Sequence, residues 1–250
     1  MSKLVIGITG PSVHTPAVRE MVSKYFDAIP LDINQNGDDI DQIASLCHHF
    51  ILAGGNDIYP LSLEHERREL CPGNNYSKFD RARDRREFRL IDLALKQNKK
   101  VLGICRGHQM LLSHAGLYLI PDISSYTDVC HNPSGVEVND EPIHYLDSVG
   151  NGDDFVKDNE AVNSFHHQAI LMSPKDAYEV GIEVLATAPT IWKTNKNIGQ
   201  NIIELARRQF NKDGKHHMPD FISCQWHPEL SWQDNEPSAR VLEYFKKMIS

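Results

Sequence analysis

No apolar run in this sequence approaches the roughly 18 residues that a membrane-spanning helix needs. The N-terminal apolar stretch, Leu4-Val5-Ile6, is too short to form the core of a secretory signal. Cysteine is sparse, with 5 in 250 residues, an odd number at irregular spacings, which argues against a disulfide framework. No Cys-x-x-Cys or His-Glu-x-x-His occurs. The adjacent pairs His48-His49, His166-His167 and His216-His217 among the 13 histidines therefore carry no metal-ligand spacing. G-x-G-x-x-G and P-loop patterns are also missing, so neither a dinucleotide nor a nucleotide phosphate is indicated. Positive charge is in deficit: the net charge of −8 gives no footprint for a nucleic-acid backbone or an anionic membrane. What remains is ordinary globular composition, 40% apolar and 24% charged, without repeats or low-complexity tracts. We expect one domain over residues 1–250, cytoplasmic, with no cofactor and no metal.

The elements alternate. Leu4–Thr9, Ala28–Ile33 and Phe50–Ala53 read as strands. Between them lie helices from about Thr15 to Tyr25 and from Asp41 to Leu46, the second capped by Asp38 or Asp39. Such alternation predicts parallel pairing with right-handed crossovers. The spacing of Phe88, Leu90, Ile91, Ala94 and Leu95 predicts a helix over Asp80–Gln97. Its first half carries Arg81, Arg83, Arg85, Arg86 and Arg89 beside Asp80, Asp84 and Glu87. That pattern fits a solvated face laced by i,i+3 and i,i+4 pairs; it also fits one arginine reaching a substrate carboxylate. After Val101–Ile104 and a helix to about Gly116, residues 118–162 break into short strands and turns. Glu183–Ala188, Asn201–Arg207 and Phe221–Trp226 read as further strands, and a helix closes the chain from about Pro237 to Met248. The expected fold is α/β: a mostly parallel central sheet, flanking helices and antiparallel C-terminal additions. Residues 58–80, 189–200 and 211–219 read as long loops, and loops of that length are often functional.

The stretch with the most chemical content is Gly103-Ile104-Cys105-Arg106-Gly107, which joins an apolar strand to a helix. Glycine on both flanks lets a strand turn sharply into a helix, which is the nucleophile-elbow pattern with sulfur in place of hydroxyl. A thiol at a helix N-terminus faces free N–H groups and about half a positive charge, which favours the thiolate. The alternative is a buried cysteine between two packing glycines. A thiolate nucleophile needs a base, and the base needs an orienter. His227-Pro228-Glu229 supplies both at another strand end. Gly54-Gly55, after a third strand, can bring backbone N–H groups close to a reacting oxyanion. With the N–H of Arg106, the residue after the nucleophile, Gly55 would complete an oxyanion hole. A tight turn is the other reading of the glycine pair.

Three motifs in order carry a family resemblance: Gly54-Gly55-Asn56-Asp57-Ile58-x-Pro60, Gly103-Ile104-Cys105-Arg106-Gly107-His108-Gln109 and Gln225-Trp226-His227-Pro228-Glu229. Over roughly residues 4–245 the chain resembles the class I glutamine amidotransferases, whose fold is flavodoxin-like. It looks most similar to their gamma-glutamyl-GABA hydrolase branch, through Arg83-Asp84 with Glu87 and through Asn163-Ser164-x-His166-His167-Gln168. The resemblance implies a cysteine hydrolase that cleaves a small gamma-glutamyl amide through a thioester. Cys105 would be nucleophile, His227 base and acid, and Glu229 its orienter. Gly55 and Arg106 would bind the oxyanion. Gly54, Gln109, Ser164, His166 and His167 would lie near the glutamyl group, with either histidine facing it. Where this branch commonly has Gly-Gly-x-Leu-x-Gln-Asp, the chain reads Gly116-Leu117-Tyr118-Leu119-Ile120-Pro121-Asp122. Two alternatives stay open: a glutaminase subunit delivering ammonia to a separate synthetase, and a binding protein without activity. Homo-oligomerisation stays open too.

Overall fold

The computed structural model describes residues 3–11, 15–33, 39–59, 79–123, 144–188, 201–208 and 218–250. Most of the three loops expected at 58–80, 189–200 and 211–219, with the pair His216-His217, lies outside the described residues.

The first half alternates as its sequence requires. Strands β1 (Val5–Thr9), β2 (Ile29–Asp32), β3 (His49–Leu52) and β4 (Val101–Ile104) are joined through α1 (Thr15–Lys24), α2 (Ile40–Leu46) and α3 (Arg81–Lys96). Asp39, not Asp38, caps α2, accepting from the N–H groups of Asp41 and Gln42 at 3.0 and 3.3 Å. Asp80 caps α3 through the Arg83 N–H at 2.9 Å. Helix α4 (Arg106–His114) follows β4 directly. The second half contributes β5 (Leu119–Ile120), β6 (His144–Ser148), β7 (Glu160–Val162), β8 (Ala169–Met172), α5 (Pro174–Glu179), β9 (Ile182–Ala188), β10 (Asn201–Arg208), β11 (Phe221–Cys224) and α6 (Glu236–Ile249).

The sheet is mixed, running β2-β1-β3-β4-β11-β10-β9-β6-β7 among the described residues, with β8 on β10 and β5 on β8. Strands β2, β1, β3, β4 and β11 are parallel. From β10 onward the pairing is antiparallel. The expected C-terminal additions are therefore antiparallel except for β11, which lies parallel to β4 and belongs to the central block. No helix of the described residues is long and apolar enough to cross a membrane.

Successive strand residues point to opposite faces, and both faces are covered. Ile6, Ile8, Ile51, Leu102 and Ile104 pack with Val18, Met21 and Val22 of α1 and with Val241, Leu242 and Phe245 of α6. Phe50, Leu52 and Val101 face the other way, against Leu90, Ile91 and Ala94 of α3 and Met110 and Leu111 of α4. Register places the site. Leu52 of β3 pairs with Gly103 of β4, and Ile104 of β4 with Cys224 of β11. Three adjacent parallel strands thus end at nearly one level. The residues that leave them, Gly54, Cys105 and Gln225 to His227, come together at the carboxyl end of the sheet, where ligands of such folds bind.

Candidate active site

Cys105 occupies the turn between β4 and α4 with φ 51° and ψ −104°. Among the described residues, the other non-glycine residues with positive φ are Asp27, Asn98 and Asn159, residue types that tolerate it. A cysteine held there costs about 1–3 kcal/mol, which the surrounding packing must offset. Packing allows the turn because position 107 is glycine: a Cβ there would land on the Leu52 carbonyl oxygen. The Cys105 N–H donates to Cys224 O at 2.9 Å, anchoring the elbow to β11. Cys105 is 6% exposed and caps α4 with no side-chain hydrogen bond to it, so the sulfur stands at the helix N-terminus.

His227 is the third residue after β11 and opens the 3-10 turn Pro228–Leu230. Its Nδ1 lies 2.7 Å from Glu229 Oε1. Burial works against the charged ring, but the carboxylate of Glu229 and hydrogen bonding to Cys105 outweigh it and raise the His227 pKa well above its ordinary value. The backbone of His227 is clamped by Asn163: its N–H donates to Asn163 Oδ1 at 2.8 Å, and its carbonyl accepts from Asn163 Nδ2 at 3.0 Å. The Phe165 ring packs edge-on against the imidazole at 5.8 Å. Asn163 belongs to the motif at 163–168, but the motif does not show this clamp: a carboxamide and a backbone paired 64 residues apart leave no trace in spacing.

Gly54 and Gly55 follow β3, with Gly54 against the same pair. A Cβ on Gly54 would stand 2.8 Å from His227 Cε1 and 3.6 Å from Cys105 Cβ. Gly55 has φ 137°, which L residues rarely adopt, and its Cα faces Arg83. Arg83 is not part of a solvated face, one of the two readings the sequence allowed. It is 5% exposed and donates from Nη2 to Ala53 O at 2.7 Å and Gly54 O at 3.0 Å. In a trans peptide the C=O and the next N–H point in opposite directions. Holding Gly54 O on Arg83 therefore turns the Gly55 N–H away from α3.

The Arg106 side chain, which carries no role in the sequence, completes a buried ionic cluster. It pairs with Asp84 and Glu87 of α3, and all three side chains are almost fully buried. Glu87 also accepts from Arg83 Nε at 2.7 Å and Thr9 Oγ1 at 2.6 Å. Burial alone would raise the Glu87 pKa; the charges of Arg106 and Arg83 reverse that and lower it. One cluster thus ties together both backbone segments expected to bind an oxyanion. The i,i+4 pair of Arg83 and Glu87 was visible in the sequence, but its burial was not.

The remaining expected residues fall in two places. Gln109 is buried on α4 and donates from Nε2 to Gln168 O at 2.8 Å and to Gln225 Oε1 at 3.1 Å. Ser164 is fully buried. His166 is 4% exposed, with Nδ1 2.9 Å from Gln168 O and Nε2 3.7 Å from Glu204 Oε1. A carbonyl only accepts, so Nδ1 carries the proton. Glu204 sits at an irregularity in the β10–β9 ladder, also within 3.3 Å of His144 Nε2. His167 instead lies at the surface, its side chain 38% exposed and its Nε2 2.7 Å from Asp57 Oδ1. The Gln168 carboxamide bonds both ways to the Ile58 backbone, at 2.8 and 3.1 Å. Segment 163–168 thereby joins the glycine loop to the His227 turn. His108, also in the elbow motif, lies inside, bridging Ser223 and Ile203; burial pulls its pKa down to about 4. Among the described residues no cluster of His, Cys, Asp and Glu is arranged to hold a metal ion.

A model of the family described as peptidase C26 matches residues 12–229. Protein NtpR of Enterococcus hirae is 30% identical over 210 residues, 82% of this chain and 75% of that one. The glutamine amidotransferase-like protein YvdE of Lactococcus lactis is 26% identical over 227 residues, 87% and 79% of the two chains. Among solved structures, a glutamine amidotransferase from Thermotoga maritima shares the fold with a TM-score of 0.52 at 14% identity, over 100% of this chain and 85% of that one. The glutaminase domain of a Trypanosoma brucei CTPS does so with a TM-score of 0.53 at 12% identity, over 98% and 94%.

Proposed function

The chain belongs to the peptidase C26 family, and from that premise we propose that it is a cysteine hydrolase that cleaves the gamma-glutamyl amide of a small substrate. The observation that carries this reading is the meeting of Cys105, His227 and Glu229 beside Gly54, from two strand ends and a glycine loop. The Cys105 thiolate attacks the gamma-carbonyl carbon. The carbonyl oxygen gains negative charge and is held by the N–H groups of Gly55 and Arg106. His227, kept charged by Glu229, gives its proton to the departing amine as the C–N bond breaks. Water then attacks the thioester, His227 takes the water proton, and sulfur leaves as glutamate is released. On this reading Gly54, Gln109, Ser164, His166 and His167 belong to the glutamyl side of the site, and of the two histidines His167 is the one whose side chain reaches solvent.

The test is a panel of gamma-glutamyl-GABA, other gamma-glutamyl amines and glutamine, given to the purified chain and to Cys105→Ala. We expect turnover of one or more gamma-glutamyl amides without any partner, and none by the variant. Glutamine turnover appearing only with an added synthetase would replace this reading with ammonia delivery. No thioester and no turnover on any compound would leave a binding protein.

A further inference from the structure

We propose that Gln225 is a further catalytic residue, its carboxamide N–H held on the sulfur of Cys105 to stabilise that sulfur whenever it carries negative charge. The proposal rests on the reading of Cys105 as the nucleophile. Gln225 is fully buried, and its Nε2 lies 3.7 Å from Cys105 Sγ. Its backbone N–H is used by Glu204 O at 2.8 Å, which fixes the residue at the end of β11.

The orientation of the carboxamide follows from its neighbours. Gln168 O is a backbone carbonyl and can only accept, so the Gln109 atom 2.8 Å from it is the NH2 group. The same NH2 group meets Gln225 at 3.1 Å, and the atom it meets must be an acceptor, hence Oε1. With its oxygen committed to Gln109, Gln225 has only its NH2 to turn toward the sulfur. A flipped Gln225 would set two NH2 groups against each other and leave its oxygen facing the thiolate. The chain Gln168 O, Gln109, Gln225, Cys105 Sγ thus has a single sense, and its carbonyl end lies in the segment that clamps His227.

Hydrogen bonds to a charged acceptor in a dry site are stronger than those to a neutral one. The Gln225 N–H is therefore a stronger partner for a charged sulfur than for a neutral one. It acts again in deacylation. When water attacks the thioester and the C–S bond breaks, sulfur takes the electron pair, and the same N–H receives the charge. Gln225 would thus serve at the sulfur as the Gly55 and Arg106 N–H groups serve at the oxygen.

The pH dependence of Cys105 alkylation by iodoacetamide, followed by peptide mass spectrometry on the full chain, tests this. Gln225→Met keeps the shape but removes the donor. We expect the thiolate edge to move up by about one unit, and alkylation below the edge to slow roughly tenfold. Gln109→Met, which leaves Gln225 free to turn, should move the edge the same way by less. A merely structural role would lower the melting temperature and leave the edge where it was. An unmoved edge in folded Gln225→Met overturns the proposal. If that variant does not fold, an unmoved edge in Gln109→Met does so. The edge is read without substrate. Amide turnover persisting in Cys105→Ala would defeat the nucleophile reading instead, and the two failures are distinguishable.

Discussion

Replacing Gly54 with alanine separates the geometry of the proposed base from the stability of the fold. Gly54 is not among the glycines with positive φ, so its backbone accepts an alanine. The new methyl would stand 2.8 Å from His227 Cε1, where ordinary contact begins at 3.4 Å. One of the two must give way by roughly 0.6 Å. The glycine loop is pinned by Arg83 through the carbonyls of Ala53 and Gly54, so the imidazole takes most of the displacement. It cannot retreat without cost, because Glu229 lies 2.7 Å from its Nδ1 and Asn163 holds its backbone. A misplacement of about 1 Å in a reacting group costs on the order of 100-fold in rate, so we expect kcat to fall roughly 10- to 100-fold. Gly→Ala gains about 0.4–1 kcal/mol through the unfolded chain, which offsets part of the contact cost, and the melting temperature should move by only a few degrees. Steady-state hydrolysis of the preferred gamma-glutamyl amide, paired with thermal melts, reads both numbers. A stable variant with kcat within about twofold of the parent would refute the reasoning. Either His227 would not be the proton-transfer group, or its position would not be set by Gly54. Gly55→Ala is the contrast: at φ 137° and facing Arg83, it should lose stability as well as rate.

Glu87→Gln should be costly at a distance from the sulfur. It removes the carboxylate that pairs with Arg83 and leaves Arg106 paired with Asp84 alone, and breaking a buried pair costs about 3–5 kcal/mol. In a chain of this size that lowers the melting temperature by roughly 6–20 °C, and a loss under about 1 kcal/mol in denaturant unfolding would show the cluster is not coupled. The raised pKa of His227 also makes stability depend on pH with a definite sign. The stabilising charge is fully present below the ordinary histidine value of about 6.5 and is lost as pH rises through the folded value. Melting curves of the parent and Glu229→Gln should therefore differ most near neutral and mildly acidic pH and converge in alkali; a gap that widened with pH would contradict the assigned ion pair.

Much of the site was legible because its chemistry is local. A sharp strand-to-helix turn needs small flanks, so Gly103-x-Cys105-x-Gly107 announced an elbow, and the Leu52 carbonyl oxygen shows why Gly107 cannot carry a side chain. His227 and Glu229 are two residues apart, so their pairing needed only a tight turn. The alternation of strand and helix predicted the parallel block, because each strand must bury two faces. The mixed character of the sheet was less visible, since β11 joins β4 across 120 residues of chain.

What the sequence by itself determined is the elbow, the triad candidates and the α/β frame, each set by steric and periodic rules that act within a few residues. The tertiary structure alone decided which of two identical-looking neighbours turns inward. His166 reaches Glu204 while His167 meets Asp57 at the surface. It alone decided that Arg83, Asp84 and Glu87 are buried, because i,i+4 charge spacing is the same on a wet helix face and a dry one. It also gave Arg106 its partners and turned Gln225 toward the sulfur. These assignments depend on which acceptors and charges are brought within about 3–4 Å by packing, and spacing along the chain carries no record of that.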